Sequence, residues 1–472
     1  MHYQLSLAFA LVVGTATAQQ PWTLEQCVQR AEDKNIAVLN AGLDAELADR
    51  AQDQALWDLA PNVNGGATHG YNFGRTVDRY TNTFATSRVQ SNNFYLSSTL
   101  SLFEGLRKQG AIKRTELDAK AALLGAEAAK NQVRLEVVQA FLDVLGLRER
   151  LAAAEEQAAS TRAQMTRTQA MVEAGRLARA DLLSLESQLA QEEYTITDLS
   201  SQRDQRMLAL ARSLQLEPQE AMTFDIQAPA ISAMRVMEPV ATTDEVLANV
   251  LRTNPSFAQA ETQVASAERG ITTARSGSMP SLLLNGSIGT GYSGLNYRSV
   301  GDPILGAPYI IGATAGGEAV YAPNYYYNTE LTPFGAQLDQ NINRSISLTL
   351  NVPLFNNMQN RLAISQARVQ HEKIRNTMVS VRNDLQRNVL DAMVAQRGGY
   401  RQFLAAQKAV EAGMLNLEYA QERFAQGVIT SMELATVKAA LNRSTADMIN
   451  AKYQYVMATK YLDILQGMPV TL

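Results

Sequence analysis

The chain reads NIAVLNAGLDAELADRAQDQALWDLAP over residues 35–61, and a second stretch of equal length, NPSFAQAETQVASAERGITTARSGSMP, occupies residues 254–280. Both begin with asparagine, continue with a helix-favouring composition and end with proline, and they lie 219 positions apart. We interpret the pair as the trace of an internal duplication. A duplicated unit rarely buries its apolar face alone, so we expect the two copies to pack side by side.

Later landmarks support the duplication at a wider spacing. Phe103 matches Phe355, and Gly175 matches Gly427, with 252 positions between the partners in both cases. The spacing therefore grows by 33 positions between Pro280 and Phe355. This growth indicates that the second copy carries an insertion in that interval.

Residues 1–18 have the composition of a secretory signal peptide. An apolar run over residues 5–13 precedes Ala16-Thr17-Ala18, a small-x-small cleavage pattern. The mature chain then divides into a first structural repeat at 19–242 and a second at 243–472. Beyond the signal, no apolar run approaches the roughly 20 residues that a membrane helix needs. An exported chain of this kind is soluble, attached to a surface, or membrane-spanning through β-strands.

Composition narrows the possible functions. The chain has 472 residues, of which 46% are hydrophobic and 19% charged, as is typical of a folded protein. The formal net charge is −4, whereas nucleic-acid-binding proteins are typically basic, so we expect no nucleic-acid partner. The lone Cys27 excludes an intramolecular disulfide, and we expect it in a helical core. After the signal only His69 and His371 remain, with no phosphate-binding loop or metal-ligand cluster, so we predict neither an enzyme nor a cofactor or metal.

Long helices dominate the predicted secondary structure. The chain from Leu106 to Leu216 has almost no glycine or proline and is rich in strong helix formers, and Gly175 predicts the turn between two antiparallel helices. The predicted helices cover residues 23–59, 106–175, 176–215, 243–276, 357–427 and 428–467. We call 106–175 and 357–427 the long helices, 176–215 and 428–467 the return helices, and 23–59 and 243–276 the short helices. A short helix stacked end to end on a return helix has about the length of a long helix. This match favours antiparallel coiled-coil columns. An ordinary helical bundle leaves the strands unexplained.

Four segments alternate apolar and polar residues as β-strands do. They cover residues 63–73, 94–103, 282–288 and 346–354, and we predict a loop, rich in glycine and tyrosine, over residues 292–340. Lipid on one face and water on the other explains the alternation, and so does a soluble sheet packed on helices. Single-chain membrane barrels begin at about eight strands. A membrane role for four strands therefore requires several chains.

The order of these features resembles the TolC-type outer-membrane efflux and secretion channels, the outer membrane factor family. The resemblance rests on the duplicated halves and on four motifs: the strand-to-helix junctions LSLFEG (100–105) and NVPLFNN (351–357), and the helix tips GRLARADL (175–182) and GVITSMEL (427–434). It covers essentially the whole mature chain. The segment NFGRTVD (72–78) is similar to Bacteroidetes members of the family.

The resemblance implies a mainly α fold with membrane β-structure. Long antiparallel coiled-coil helices form a periplasmic α-barrel, and four strands per protomer contribute to the 12-stranded outer-membrane β-barrel of a homotrimer. The implied function is passive export from an inner-membrane pump to the exterior, in a tripartite efflux or type I secretion system of the cell outer membrane. A periplasmic adaptor protein, an inner-membrane transporter and outer-membrane lipid are the implied partners.

Two acidic residues are candidates for a pore constriction gated at the periplasmic tips. Asp181 and Glu433 each lie six positions after a tip glycine, where the resemblance places acidic residues that face the pore. In a trimer each forms a three-fold carboxylate ring that favours cations. A solvated acidic residue in the first turn of a helix is the alternative. Thr436 stands at a second acidic position of the family, and Phe424 stands where the family has a gating tyrosine.

The residues around the tip glycines are candidates for contact with the adaptor: Gly175, Arg176, Leu177, Gly427, Val428 and Ile429. An exposed apolar side chain beside a tip glycine favours docking, whereas packing within the hairpin is the alternative for Leu177 and Ile429. Arg176 and Arg179 are candidates for salt bridges that hold a closed tip, or for solvated charges.

A second hypothesis, from another class, is a surface-anchored structural helical rod or adhesin. A rod needs neither strands with lipid-type alternation nor two equivalent tips, so the channel explains more of the sequence. The segment 292–340 exceeds the usual length in the family. Its tyrosines, Tyr321 and Tyr325–Tyr327, indicate an interfacial aromatic belt or a cover over the channel mouth. The sequence does not identify the exported cargo.

Overall fold

A computed structural model describes residues 21–86, 88–229 and 236–471, so the predicted signal peptide lies outside the described residues. The helices are α1 (Leu24–Lys34), α2 (Ile36–Trp57), α3 (Arg107–Glu173), α4 (Arg179–Ser213), α5 (Pro218–Thr223), α6 (Thr243–Thr253), α7 (Pro255–Ser276), α8 (Phe334–Gln340), α9 (Gln359–Ala425) and α10 (Ser431–Leu465). The strands are β1 (Asn62–Asn72), β2 (Thr76–Val77), β3 (Phe84–Ala85), β4 (Val89–Glu104), β5 (Ser281–Ser293), β6 (Tyr297–Ala313), β7 (Ala319–Leu331) and β8 (Asn343–Asn351).

The chain divides into two compact units. Of the described residues, those at 21–50, 116–266 and 372–471 form the helical unit, and those at 51–115 and 267–371 form the strand-containing unit. Each unit contains segments of both predicted repeats. The boundaries of the repeats themselves stay a prediction.

The predicted long helices are confirmed, and the duplication is visible in their lengths. Helices α3 and α9 have 67 residues each, and α4 and α10 have 35 each. Gly175 (φ 71°) follows α3 and Gly427 (φ 69°) follows α9, both in the left-handed region that glycine adopts without strain. At the first tip the Arg176 N–H donates to the Met171 carbonyl (2.8 Å), and at the second the Val428 N–H donates to the Arg423 carbonyl (2.9 Å). Both turns are therefore Schellman motifs.

The predicted helix over residues 23–59 is wrong as a single element, because it breaks at Asn35. The Asn35 backbone is extended (ψ 129°), and its side-chain oxygen accepts from the Ala37 N–H (2.9 Å). The Asn35 amide nitrogen donates to the Ser213 carbonyl at the end of α4 (3.2 Å). The side chain therefore starts α2 and satisfies a carbonyl that α4 leaves unpaired.

The predicted helix over residues 243–276 breaks in the same way at Asn254. The Asn254 oxygen accepts from the Ser256 N–H (3.0 Å), and its amide nitrogen donates to the Leu465 carbonyl at the end of α10 (3.4 Å). Each short helix thus meets the return helix of its own repeat through one asparagine.

The main core of the helical unit surrounds Phe141, which is 1% exposed. The apolar face of α1 packs into this cluster through Leu24 and Cys27, which confirms Cys27 as a core residue. Trp22 packs edge-on against Phe224 with ring centroids 5.6 Å apart. This contact ties the segment after α5 to the start of the described chain.

Antiparallel strands in the order β1-β4-β5-β8 form the four-stranded sheet. All four predicted strands are confirmed, although the last ends at Asn351, so that Val352 and Leu354 lie beyond it. One face carries a polar ladder, in which the Thr99 hydroxyl donates to the Asn285 side-chain oxygen (3.1 Å). The opposite face carries leucines in register: Leu100 pairs with Leu284, and Leu284 with Leu348. In the described part of the chain, no helix is both long enough and apolar enough to cross a membrane.

The predicted loop over residues 292–340 is wrong. It contains a hairpin of two long strands, β6 and β7, followed by the short helix α8. Register shifts between Val300 and Ile304 and between Gly306 and Tyr309 interrupt the pairing. Such irregularities, together with prolines inside both strands, hide the period-two pattern on which the prediction of a strand depends.

The two return helices end in the same backbone conformation with different residues. Gln215 follows α4 with φ 52°, and Gly467 follows α10 with φ 74°. In both places the next backbone N–H donates five residues back, from Leu216 to Ala211 (3.1 Å) and from Met468 to Asp463 (2.9 Å). A glutamine in the left-handed region carries a steric penalty that glycine avoids.

We expect Gln215→Gly to stabilise the protein by about 0.5–1 kcal/mol, because the left-handed penalty of about 1–2 kcal/mol exceeds the cost of about 0.4–1 kcal/mol for the greater freedom of glycine in the unfolded chain. Thermal unfolding of detergent-purified protein, followed by circular dichroism at 222 nm, measures the change. Gly467→Gln is the matched control and should lower the unfolding temperature. An unchanged or lower unfolding temperature for Gln215→Gly would contradict the strain.

Candidate functional site

The two helix tips lie together in the helical unit. Phe424, Ala420 and Leu434 form a buried cluster at the second tip, and Phe424 is 3% exposed. Leu177 of the first tip and Ile429 of the second are half-buried and pack against this cluster. Both side chains therefore pack inside the protomer, which is the alternative to contact with an adaptor. Leu177 also joins one hairpin to the other.

Asp181 makes a polar contact between the tips. Its carboxylate accepts a hydrogen bond from the Ser431 hydroxyl (2.7 Å), and Ser431 is buried while Asp181 is half-buried. This bond connects the first turn of α4 to the first turn of α10. Phe424 cannot make such a bond because it lacks a hydroxyl, and it contributes packing instead.

Glu433 caps its own helix. Its carboxylate accepts from the Thr430 N–H (2.8 Å), while the Thr430 hydroxyl accepts from the Glu433 N–H (3.2 Å), which is a capping box. Glu433 is exposed. This exposure is what the alternative interpretation, a solvated carboxylate in the first turn of a helix, requires. The matching position of the first tip is Ala178, which gives no side-chain cap. Thr436 is also exposed, and its hydroxyl donates to the Met432 carbonyl (2.9 Å).

The outermost tip residues are open to solvent. Gly175 and Arg176 are exposed at the first tip, and Gly427 and Val428 at the second, where Val428 is 60% exposed. Val428 is therefore the apolar side chain that fits the expectation of an exposed residue beside a tip glycine. Among the described residues, neither Arg176 nor exposed Arg179 forms an ion pair, so the protomer shows solvated charges at both positions.

A buried lysine joins the hairpins farther from the tips, and the sequence analysis missed it. Lys438 of α10 is 1% exposed, and its ammonium approaches the Thr161 hydroxyl of α3 (3.5 Å). The Thr161 hydroxyl donates in turn to the Glu192 carboxylate of α4 (3.1 Å). Burial lowers the pKa of Lys438, and the Glu192 carboxylate opposes this shift. Its position on the apolar face of α10, beside Leu434, is the signal that the sequence offered.

Comparison with known families identifies the chain. The family described as outer membrane efflux protein matches residues 27–214 and 246–467. The chain belongs to the outer membrane efflux protein family. It is accordingly an outer-membrane protein, as the sequence resemblance implied, and its family consists of channels rather than enzymes. Bacteroidetes origin stays a prediction. In the described residues, no group of three or more His, Cys, Asp or Glu side chains is placed to hold a metal ion.

Solved structures share the fold of this efflux-family chain. CusC matches with a TM-score of 0.76 at 14% identity, covering 94% of this chain and 92% of that one. VceC of Vibrio cholerae matches with 0.75 at 12% identity, covering 94% and 96%. The CmeC outer membrane channel of Campylobacter jejuni matches with 0.74 at 15% identity, covering 94% and 85%. Identities this low establish the fold alone. A search of curated proteins finds no significant match.

We expect Ser431→Ala to loosen the contact between the tips, because a hydrogen bond to a carboxylate contributes about 1.5–3 kcal/mol. Hydrogen exchange of the backbone around Leu177 and Asp181 should become about tenfold faster or more. Ser187→Ala, which removes an exposed hydroxyl from α4, the helix of Asp181, is the control and should leave exchange unchanged. Equal exchange in both variants would show that the Ser431 hydroxyl does not hold the tip.

Proposed function

We propose that the protein is the passive outer-membrane channel of a tripartite efflux or type I secretion system. The sheet with a polar ladder on one face and leucines on the other carries this proposal. Thr99 and Asn285 suit a water-filled interior, and Leu100, Leu284 and Leu348 suit hydrocarbon. Small molecules or proteins would pass along the polar face, from an inner-membrane transporter to the exterior.

The proposed assembly is a homotrimer. Strands β1 and β8 are the edges of the four-stranded sheet, and an unpaired edge is not tolerated in lipid. Pairing β1 of one protomer with β8 of the next closes three sheets into a 12-stranded barrel. The alternation of faces and the antiparallel order of the strands both support this closure.

The proposed docking site for a periplasmic adaptor is the exposed rim of the tips. Val428 offers an apolar contact, and Gly175 and Gly427 let a partner backbone approach closely. Arg176 adds a charge at the same rim. In this proposal Leu177 and Ile429 support the rim from beneath, since they pack on the Phe424 cluster.

The proposed gate uses Asp181 and Glu433, which stand in the first turns of α4 and α10. Three copies of each carboxylate around one axis bind cations, and the Asp181–Ser431 bond holds the two turns in register. Thr436 adds an exposed, neutral polar side chain to this constriction, and Phe424, buried at the second tip, supports it by packing.

We expect the double variant Asp181→Asn, Glu433→Gln to reduce block by divalent cations and to change single-channel conductance in planar bilayers. Both replacements remove the charge but keep an acceptor for Ser431 and for the Thr430 capping box. Asp198→Asn, an exposed carboxylate farther along α4, is the control. Unchanged block and conductance in the double variant would remove these residues from the gate.

Heat-resistant trimers in detergent and defined conductance steps in bilayers test the channel itself. A surface-anchored rod or adhesin predicts a protein that does not conduct. A monomer, or a trimer without conductance, would overturn the proposed function.

The β6–β7 hairpin is the proposed cover of the channel mouth. Its tyrosines are open to solvent; Tyr321 is 59% and Tyr325 55% exposed. Replacing residues 297–331 with a short Gly/Ser linker should increase uptake of large antibiotics by cells that carry the channel. Unchanged uptake, with normal trimer levels, would leave these tyrosines the role of an interfacial belt.

A further inference from the structure

A polar cavity of about 440 Å³ lies in the strand-containing unit, where α2 ends and α3 begins. Trp57 and Asp58 line one side, and Glu104, Arg107 and Lys108 line another. Thr99 and Ser101 of β4 contribute the polar face of the sheet to its wall. The cavity has the size of a small-molecule site, and none of its charged residues belongs to the tip or to the proposed gate.

The cavity brings together groups of opposite charge. The Arg107 guanidinium donates to the Glu104 carboxylate (2.7 Å). The Lys108 ammonium donates to the Asp58 backbone carbonyl and lies 4.0 Å from the other Glu104 oxygen. An ammonium has three N–H donors, so Lys108 retains donors for a ligand. Trp57 lies at the edge of the cavity and is 76% exposed.

The second repeat has the same backbone conformation where its sheet strand leads into its long helix, but it lacks the charged side chains. Gly105 and Leu106 have φ of 61° and 67°, and their counterparts Asn357 and Met358 have φ of 55° and 64°. The positions that match Glu104, Arg107 and Lys108 hold Asn356, Gln359 and Asn360. The fold of the junction therefore does not require a charged side chain at any of the three positions.

The structural hydrogen bond of Lys108 is also available to a neutral residue. The Asn360 amide donates to the Gly277 carbonyl, as Lys108 does to the carbonyl of Asp58, the residue that matches Gly277. An asparagine can thus join the short helix to the long one. The lysine adds a positive charge that the link does not need, and Trp57, which matches Ser276, adds an aromatic ring in the first repeat alone.

We propose that this cavity binds a zwitterionic group, in which a phosphate or carboxylate contacts Arg107 and Lys108 while an ammonium contacts Glu104 and the face of Trp57. Guanidinium and ammonium groups form charge-assisted hydrogen bonds with such anions. An ammonium over an indole ring gains a cation–π interaction. Two sources of such a group are a phospholipid headgroup and a soluble solute in the channel. The solute as a source rests on the proposed function, because the proposed channel places the polar face of the sheet against water.

Fluorescence of Trp57 tests the proposal in the full-length trimer, purified in dodecyl maltoside. The chain has two tryptophans, so Trp22→Phe leaves Trp57 as the single reporter. Glycerophosphoethanolamine is the soluble zwitterionic probe, and glycerol phosphate and ethanolamine each carry half of its charges. Nanodiscs of phosphatidylethanolamine and of phosphatidylglycerol test the lipid source.

The test variant exchanges the charges for the residues of the second repeat: Glu104→Asn, Arg107→Gln and Lys108→Asn. The matched control makes the reverse exchange at the equivalent positions of the second repeat: Asn356→Glu, Gln359→Arg and Asn360→Lys. We expect saturable binding of the zwitterion that weakens about tenfold or more in the test variant and persists in the control. A response confined to phosphatidylethanolamine nanodiscs supports the same site with lipid as the source.

Three results would overturn the proposal. The first is the absence of a saturable response to both the soluble probe and phosphatidylethanolamine, and the second is equal affinity in the test variant and the parent. The third is binding of glycerol phosphate or ethanolamine alone as tightly as the zwitterion. Conductance recorded on the same preparation keeps the two conclusions apart: a conducting trimer that binds no zwitterion refutes the site and leaves the channel standing.

Discussion

The open edges of the four-stranded sheet constrain the rest of the molecule. Within the described chain, β1 pairs only with β4 and β8 only with β5, so each edge strand presents a row of backbone N–H and C=O groups. Hydrocarbon offers these groups no hydrogen bonds. A protomer whose sheet has one polar and one leucine face therefore makes physical sense in a membrane only as part of a larger, closed sheet, and the proposed trimer supplies the missing partners.

The sequence predicted what depends on local composition and missed what depends on distant contacts. The long helices were found within a few residues because Gly175 and Gly427 are strong local signals. The break at Asn35 was missed, since its reason is the Ser213 carbonyl, 178 positions away. The strands β6 and β7 were missed because prolines and register shifts interrupt their alternation. At the tip, the place of Asp181 and Glu433 in the first turn of a helix is confirmed, and their role in a gate stays a prediction. Their partners Ser431 and Thr430 depend on rotamers and packing that spacing does not reveal.

The duplication separates what the architecture needs from what one repeat has added. Both repeats keep an asparagine that ties a short helix to a return helix, and both keep a left-handed residue after the return helix. These are backbone requirements, so different residues can meet them, as Gln215 and Gly467 do. A charge or aromatic ring present in only one copy has no such explanation. By this criterion Trp57 and Arg107 are additions to a junction whose backbone the second repeat forms without them.

The two tips also differ in a way that bears on movement. The second tip stabilises itself, because Thr430 and Glu433 cap α10 from within. The first tip has Ala178 at that position, and its acidic residue, Asp181, accepts instead from Ser431 of the second tip. Leu177 likewise packs on the Phe424 cluster of the second hairpin. The start of α4 thus depends on contact with the second tip, whereas the cap of α10 does not depend on the first tip. If the tips separate, the physical expectation is that the first turn of α4 loosens while the first turn of α10 keeps its shape.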